Sequence, residues 1–119
     1  MRFEYSGPVC GVNKKHAIVR GRMILTKKYR DFVTALTWVF HEKSRGSTIE
    51  DPVSVTISMW VHPAMDSDAL LKPIFDALQH AGVIANDNQI RRYNVERFNI
   101  SGADPELEIE VTELQPQKK

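Results

Sequence analysis

Val53-Ser54-Val55-Thr56-Ile57-Ser58-Met59-Trp60-Val61 is the stretch that decides the architecture of this 119-residue chain. Apolar and polar residues alternate strictly through it, the period-2 signature of a strand that buries one face. Upstream, Tyr29, Phe32, Val33, Leu36, Val39 and Phe40 recur at helical spacing. They predict a helix from about Lys27 to Lys43, with Thr26 as its N-cap and Arg45-Gly46-Ser47 closing it. Downstream, Leu70, Leu71, Ile74, Phe75, Leu78 and Ala81 make a second helical stripe, and Gly82 stands where a helix commonly ends. Further out, Ile18 to Leu25 is expected to be one strand, with Arg20 and Arg22 on the same face. Tyr93 to Ile100 and Leu107 to Leu114 are also strand-like, joined by Ser101-Gly102-Ala103-Asp104-Pro105, and the glutamates of the second make a solvent face. With an optional strand at Arg2 to Tyr5, the order is β-α-β-α-β-β. This predicts an α+β fold, an open layer in which a mixed sheet carries two main helices and a parallel crossover is permitted. Residues 6–16 and 115–119 are expected to be loops, the last two lysines a disordered tail.

A chain of this length is expected to form one domain, residues 1–119. Its 42% hydrophobic and 26% charged residues are those of a soluble globular protein. Membrane spans and signal peptides are not expected, which suits a cytoplasmic protein. The single cysteine, Cys10, has no partner for an internal disulfide, fits a reducing compartment and is expected to be inert. The net charge of +1 conceals a sorting of charge along the chain. Arg2, Lys14, Lys15, Arg20, Arg22, Lys27, Lys28 and Arg30 crowd the first 30 residues, whereas Asp104, Glu106, Glu108, Glu110 and Glu113 sit together near the end. Local potential decides what a surface attracts, so the N-terminal third suits a polyanion such as nucleic acid, or is simply a solvated charged face.

Just past the decisive strand come His62-Pro63-Ala64-Met65-Asp66-Ser67-Asp68. One acid at a helix start is explained by capping and the helix dipole; two are explained better by a common ion. Asp87, in Asn86-Asp87-Asn88-Gln89, is expected to meet Asp66 and Asp68 at one edge of the sheet. Three carboxylate oxygens there suit Mg²⁺, or Mn²⁺ in its place. Asp68, Lys72 and Asp76 follow one another at intervals of four, a salt-bridge ladder along one helix face. Pro73 is expected to kink the helix near Asp68 and Ala69 or to delay its start.

Asp66-Ser67-Asp68-Ala69-Leu70-Leu71-Lys72-Pro73-Ile74-Phe75-Asp76-Ala77-Leu78, followed by Asn86-Asp87-Asn88-Gln89-Ile90, resembles the RusA-type Holliday junction resolvases. Their pattern is Asp-x-Asp-Asn, a lysine four residues on, Asp-Ala-Leu on the same helix, then Asp-Asp-x-Gln-Ile or Val. Pro8, Asn13, Lys14 and the basic stretch from Gly21 to Asp31 are similar to the family's N-terminal segment. The resemblance implies a homodimeric, Mg²⁺-dependent endodeoxyribonuclease that nicks four-way junction DNA in pairs, with no small-molecule cofactor. Asp66, Asp68 and Asp87 would be its metal and catalytic carboxylates and Lys72 its essential lysine. Asn13, Lys14, Lys15, Arg20, Arg22, Lys27 and Lys28 would meet the DNA. Two positions depart from the pattern: Ala69 replaces asparagine, and Asn86 replaces the first acid of the pair.

Phosphatases and glycosyltransferases that use Asp-x-Asp are larger folds with further motifs absent here. A junction-binding protein without cleavage activity is the alternative, with Ala69 as its support. His16, His41, His62 and His80 lack ligand spacing and are expected at the surface or as caps. Trp38 and Trp60 are expected in the core or at a dimer interface.

Overall fold

The computed structural model describes residues 1–114. Its elements in chain order are β1 (Arg2–Ser6), β2 (His16–Val19), β3 (Arg22–Leu25), α1 (Lys27–Ser44), β4 (Val53–Val61), α2 (Asp68–His80), β5 (Ile90–Asn99) and β6 (Glu106–Glu113). Two 3₁₀ turns, Val12–Lys14 and Asp87–Gln89, precede β2 and β5. The optional first strand exists, and the mixed sheet with two helices is as expected.

Strand order in the main sheet is β1-β6-β4-β5, with β4 antiparallel to β6 and parallel to β5. Alternation in β4 is realised fully: Val53, Val55, Ile57, Met59 and Val61 are buried, while Ser54, Thr56, Ser58 and Trp60 take the other face. Both helices cover the buried face. α1 supplies Phe32, Leu36 and Phe40, and α2 supplies Leu70, Ile74 and Leu78. Phe40 meets Phe3 of β1 edge to face at 4.8 Å, which ties the first strand to the helix layer. The opposite sheet face is polar and carries Glu106, Glu108 and Glu110 of β6.

Helix ends follow local chemistry. The Thr26 hydroxyl accepts from the Tyr29 amide at 3.3 Å, and α1 ends on Arg45 in the left-handed region. After α2, Gly82 at φ 78° lets its own amide reach Gln79 O and the Val83 amide reach Leu78 O, a Schellman ending. Among the described residues no helix is long and apolar enough to cross a membrane.

One expectation is corrected outright. The segment from Ile18 to Leu25 is not one strand. Arg20 and Gly21, at φ 53° and 75°, form a two-residue turn, so β2 and β3 make a hairpin in a sheet of their own. Both positive φ values suit the twist of a tight hairpin, and the apolar residues on either side hide that turn from a periodicity reading. Arg20 therefore lies in the turn and shares no strand face with Arg22. Of the two places expected for the tryptophans only the core is excluded: Trp38 is 65% exposed on the outside of α1, and Trp60 stacks on Phe98 at 5.2 Å on the sheet face opposite the helices. Of the two outcomes expected of Pro73, the late start is excluded, because α2 starts at Asp68 and runs through it, and the irregularity falls at its first turn. The tail expectation for residues 115–119 lies outside the described residues.

Candidate active site

β4 delivers the chain to the rim of the sheet, where residues 62–67 lead into α2. The Asp68 amide donates to Asp66 Oδ1 at 3.1 Å, which brings the first acid back over the first turn of the helix. Two amides of that turn, Ala69 and Leu70, donate to Asp66 O and Ser67 O at 3.2 and 3.1 Å, three residues back rather than four. The tightened entry agrees with Pro73, which has no amide to give Ala69 O. Ser67 holds the N-cap position without a capping hydrogen bond, because its Oγ accepts from Arg97 instead. Asp66 and Asp68 are both exposed, and neither forms an ion pair among the described residues.

Lys72 lies one turn on and meets Asp76 at 3.0 Å, the rung of the ladder that forms. That hydrogen bond and the Asp76 charge raise the Lys72 ammonium above its ordinary range, desolvation opposes them, and the Asp87 charge adds to the rise. Lys72 is therefore a cation throughout neutral pH. Tyr29 faces the same region from α1, and burial first, then the charges of Asp76 and Cys10, pushes its phenol up to about 12. Burial also raises the Cys10 thiol, in keeping with an inert cysteine.

Asp87 does not join the other two aspartates. A helix that links parallel neighbours leaves one strand at its exit end and enters the next at its starting end, so the β4–α2 and α2–β5 junctions fall at opposite rims of the sheet. The Asp87 amide donates to Gln79 Oε1 at 3.0 Å. Gln79 stands eleven residues after Asp68, roughly 16 Å along α2 at 1.5 Å per residue. Among the described residues no three acidic, histidine or cysteine side chains gather closely enough to hold a metal ion. The expected meeting of Asp66, Asp68 and Asp87 at one edge is thus absent within one chain.

The turn that carries Asp87 is built by two polar residues. Asn86 Oδ1 accepts from the Asn88 amide at 2.9 Å, so the departure from the acidic pair leaves a working cap. Gln89 is buried, accepts from the Ala85 and Asn86 amides, and donates to Ile49 O and Asp51 O. The other departure, Ala69, is buried beneath Gly11: a Cβ on Gly11 would stand 2.6 Å from that of Ala69. Position 69 therefore faces the loop before β2, and an asparagine would push into it.

The basic residues divide. Asn13, Lys14 and Lys28 line a cavity of about 230 Å³ together with His62 and Asp66, so the N-terminal loop flanks the first carboxylate directly. Lys15 turns away and sits over the Tyr29 ring at 5.5 Å. Arg20 and Arg22 belong to the hairpin, and Lys27 pairs with Asp31 at 2.8 Å. All four histidines are exposed. Gln79 and Arg97 escaped sequence reasoning, and Gln89 stood in the quoted motif without a role. A signal for Arg97 existed: it shares strand parity with Val95, placing a charge on the helix-covered face.

A protein-family model described as Endodeoxyribonuclease RusA matches residues 6–112, nearly the whole described chain. The class is that of the endodeoxyribonucleases. Within it, the chain belongs to the RusA family, as the Asp66–Leu78 and Asn86–Ile90 motifs suggested. No curated protein matches the chain.

Proposed function

We propose that the chain, acting as one domain, is a Mg²⁺-dependent endodeoxyribonuclease that resolves four-way DNA junctions by paired phosphodiester hydrolysis, in recombination and repair. The observation that carries the reading is the juxtaposition at the exit of β4. Two exposed carboxylates, without ion-pair partners among the described residues, stand beside a cavity lined by Asn13, Lys14 and Lys28, within a chain of an endodeoxyribonuclease family. Carboxylate oxygens on exposed side chains suit Mg²⁺, which takes one or two protein carboxylates and leaves its other positions to water and phosphate. Asp66 and Asp68 would hold it, and a bound ion would supply a polarised phosphate and an acidified water.

The chain's own residues do the rest. Asn13, Lys14 and Lys28 attract the DNA backbone and seat it against the first carboxylate. Lys72, kept protonated by Asp76, offsets negative charge on the phosphate oxygens or the leaving oxygen. Paired nicks require two such sites, so the active form is a homodimer. A second copy is also the available route by which an Asp87 could complete the carboxylate set, given the separation imposed by α2. A junction-binding protein without cleavage is the second reading, and the observation behind it is Ala69. Its burial against Gly11 gives that alanine a packing role that the cleavage reading accommodates.

Incubating wild type and Asp68→Asn with a labelled four-way junction and Mg²⁺ tests the reading. Cleavage by wild type should fall at least about a hundredfold in the variant, with junction binding retained. Binding without cleavage by wild type would favour the second reading, and near-wild-type turnover by Asp68→Asn would remove Asp68 from the site.

A further inference from the structure

Arg97 projects from β5, next to Met59 of β4, toward the loop that carries Asp66. Its guanidinium has five N–H donors. Nη2 donates to His62 O at 2.9 Å and to Pro63 O at 3.2 Å, and Nη1 donates to Met65 O and to Ser67 Oγ. Nε donates to Asn99 Oδ1 at 3.0 Å. Every donor has a partner, and four of the five lie on the 62–67 loop. The two residues flanking Asp66 are both held by the same nitrogen. Asp66 in turn holds the Asp68 amide, so a single side chain sets the backbone from which both carboxylates project.

The chemistry of this arrangement is unusual for a half-buried arginine. No carboxylate shares the guanidinium among the described ion pairs; its partners are neutral carbonyls, a hydroxyl and an amide. A planar fork can gather carbonyls that diverge from one another, which the compact ammonium of lysine cannot do.

We infer that Arg97 is the positioning residue of the Asp66–Asp68 pair: it fixes the 62–67 loop so that both carboxylates are offered to one divalent cation. The inference rests on the proposed cation-dependent reading of that pair. Its consequence is a defect in cation affinity rather than in DNA affinity, since partners that orient ligands typically change metal binding by about 10–100-fold.

The test compares wild type, Arg97→Lys and Arg97→Ala by Mn²⁺ titration calorimetry, by the Mg²⁺ concentration at half-maximal junction cleavage, and by junction affinity in Ca²⁺. Thermal unfolding is followed in parallel. Arg97→Ala should weaken Mn²⁺ binding and raise the half-maximal Mg²⁺ by at least about tenfold, with Arg97→Lys intermediate and junction affinity within about twofold of wild type. Millimolar ethylguanidinium should recover much of the loss in Arg97→Ala. Wild-type Mn²⁺ affinity in both variants would overturn the inference. So would a loss that guanidinium does not relieve and that tracks a loss of cooperative unfolding, because Arg97 would then be a general structural residue. If wild type binds Mn²⁺ but does not cleave, the nuclease reading fails while the Mn²⁺ arms still judge Arg97. If wild type binds no Mn²⁺, both fall.

Discussion

Replacing Gln89 by leucine keeps the side-chain volume roughly constant and removes the polar anchor of the turn that carries Asp87. Gln89 accepts from Ala85 N at 2.8 Å and Asn86 N at 2.9 Å, and donates to Ile49 O at 2.8 Å and Asp51 O at 3.0 Å. A hydrogen bond contributes about 0.5–1.5 kcal/mol net, and one that leaves a buried partner unsatisfied costs more. Ala85, Asn86 and Asp51 are exposed and regain water in the variant, so the four losses are not all full ones. The expected destabilisation of Gln89→Leu is about 2–4 kcal/mol. In urea, with a slope of roughly 1.5 kcal/mol per molar, that moves the midpoint down by about 1.3 to 2.7 M. Gln89→Glu separates the two halves of the anchor. The acid keeps the two acceptor contacts but turns an oxygen toward Ile49 O and Asp51 O, a conflict that protonation relieves. Its folded form therefore binds the proton more tightly than its unfolded form, and its deficit relative to wild type should grow from pH 5 to pH 7. Equilibrium urea unfolding at both values measures this. A midpoint for Gln89→Leu within about 0.3 M of wild type would refute the reasoning, because the anchor would then contribute no more than a surface contact.

Gly11→Ala should cost about 1–3 kcal/mol by overpacking, since its Cβ would stand 2.6 Å from that of Ala69 and 2.9 Å from Asn13 Oδ1. Ala69→Gly in the same chain should recover part of it, a coupling of at least about 0.5 kcal/mol in a double-mutant cycle of unfolding free energies. Lys72→Ala should lower turnover more than junction affinity, as measured by single-turnover cleavage beside equilibrium binding. Asp76 raises the Lys72 ammonium, and a raised cation keeps its pairing below its titration and loses it only as pH climbs through it. In Asp76→Asn the alkaline limb of the pH–rate profile should therefore begin at lower pH than in wild type, and an unmoved limb would detach Asp76 from Lys72 function. Lys14→Ala with Lys28→Ala should flatten the salt dependence of junction affinity by roughly one unit per lost phosphate contact. Arg91→Ala with Arg92→Ala is the comparison; if that pair alone flattens the slope, the DNA crosses the Asp87 end instead.

What the sequence by itself determined is whatever depends on neighbours along the chain. The β4 alternation, the apolar stripes of α1 and α2, the Thr26 cap and the glycine after α2 are each decided within a few residues, so each is legible in one dimension. Asp66, Asp68 and Lys72 could be placed together for the same reason, since they lie on one loop and one helix, and the family motif needs only spacing along the chain. The β2–β3 hairpin was not, because apolar residues flank a turn whose only mark is Arg20-Gly21. Only the tertiary structure decided that Asp87 stands apart from Asp66 and Asp68. That follows from β4 and β5 being parallel, a property of hydrogen bonds between strands that alternation within either strand does not encode. The same holds for Arg97, whose loop partners lie 30 to 35 residues away in sequence. Side-chain chemistry is local and can be read in order, whereas the distance between two side chains is set by how the sheet pairs, and that is decided by the chain as a whole.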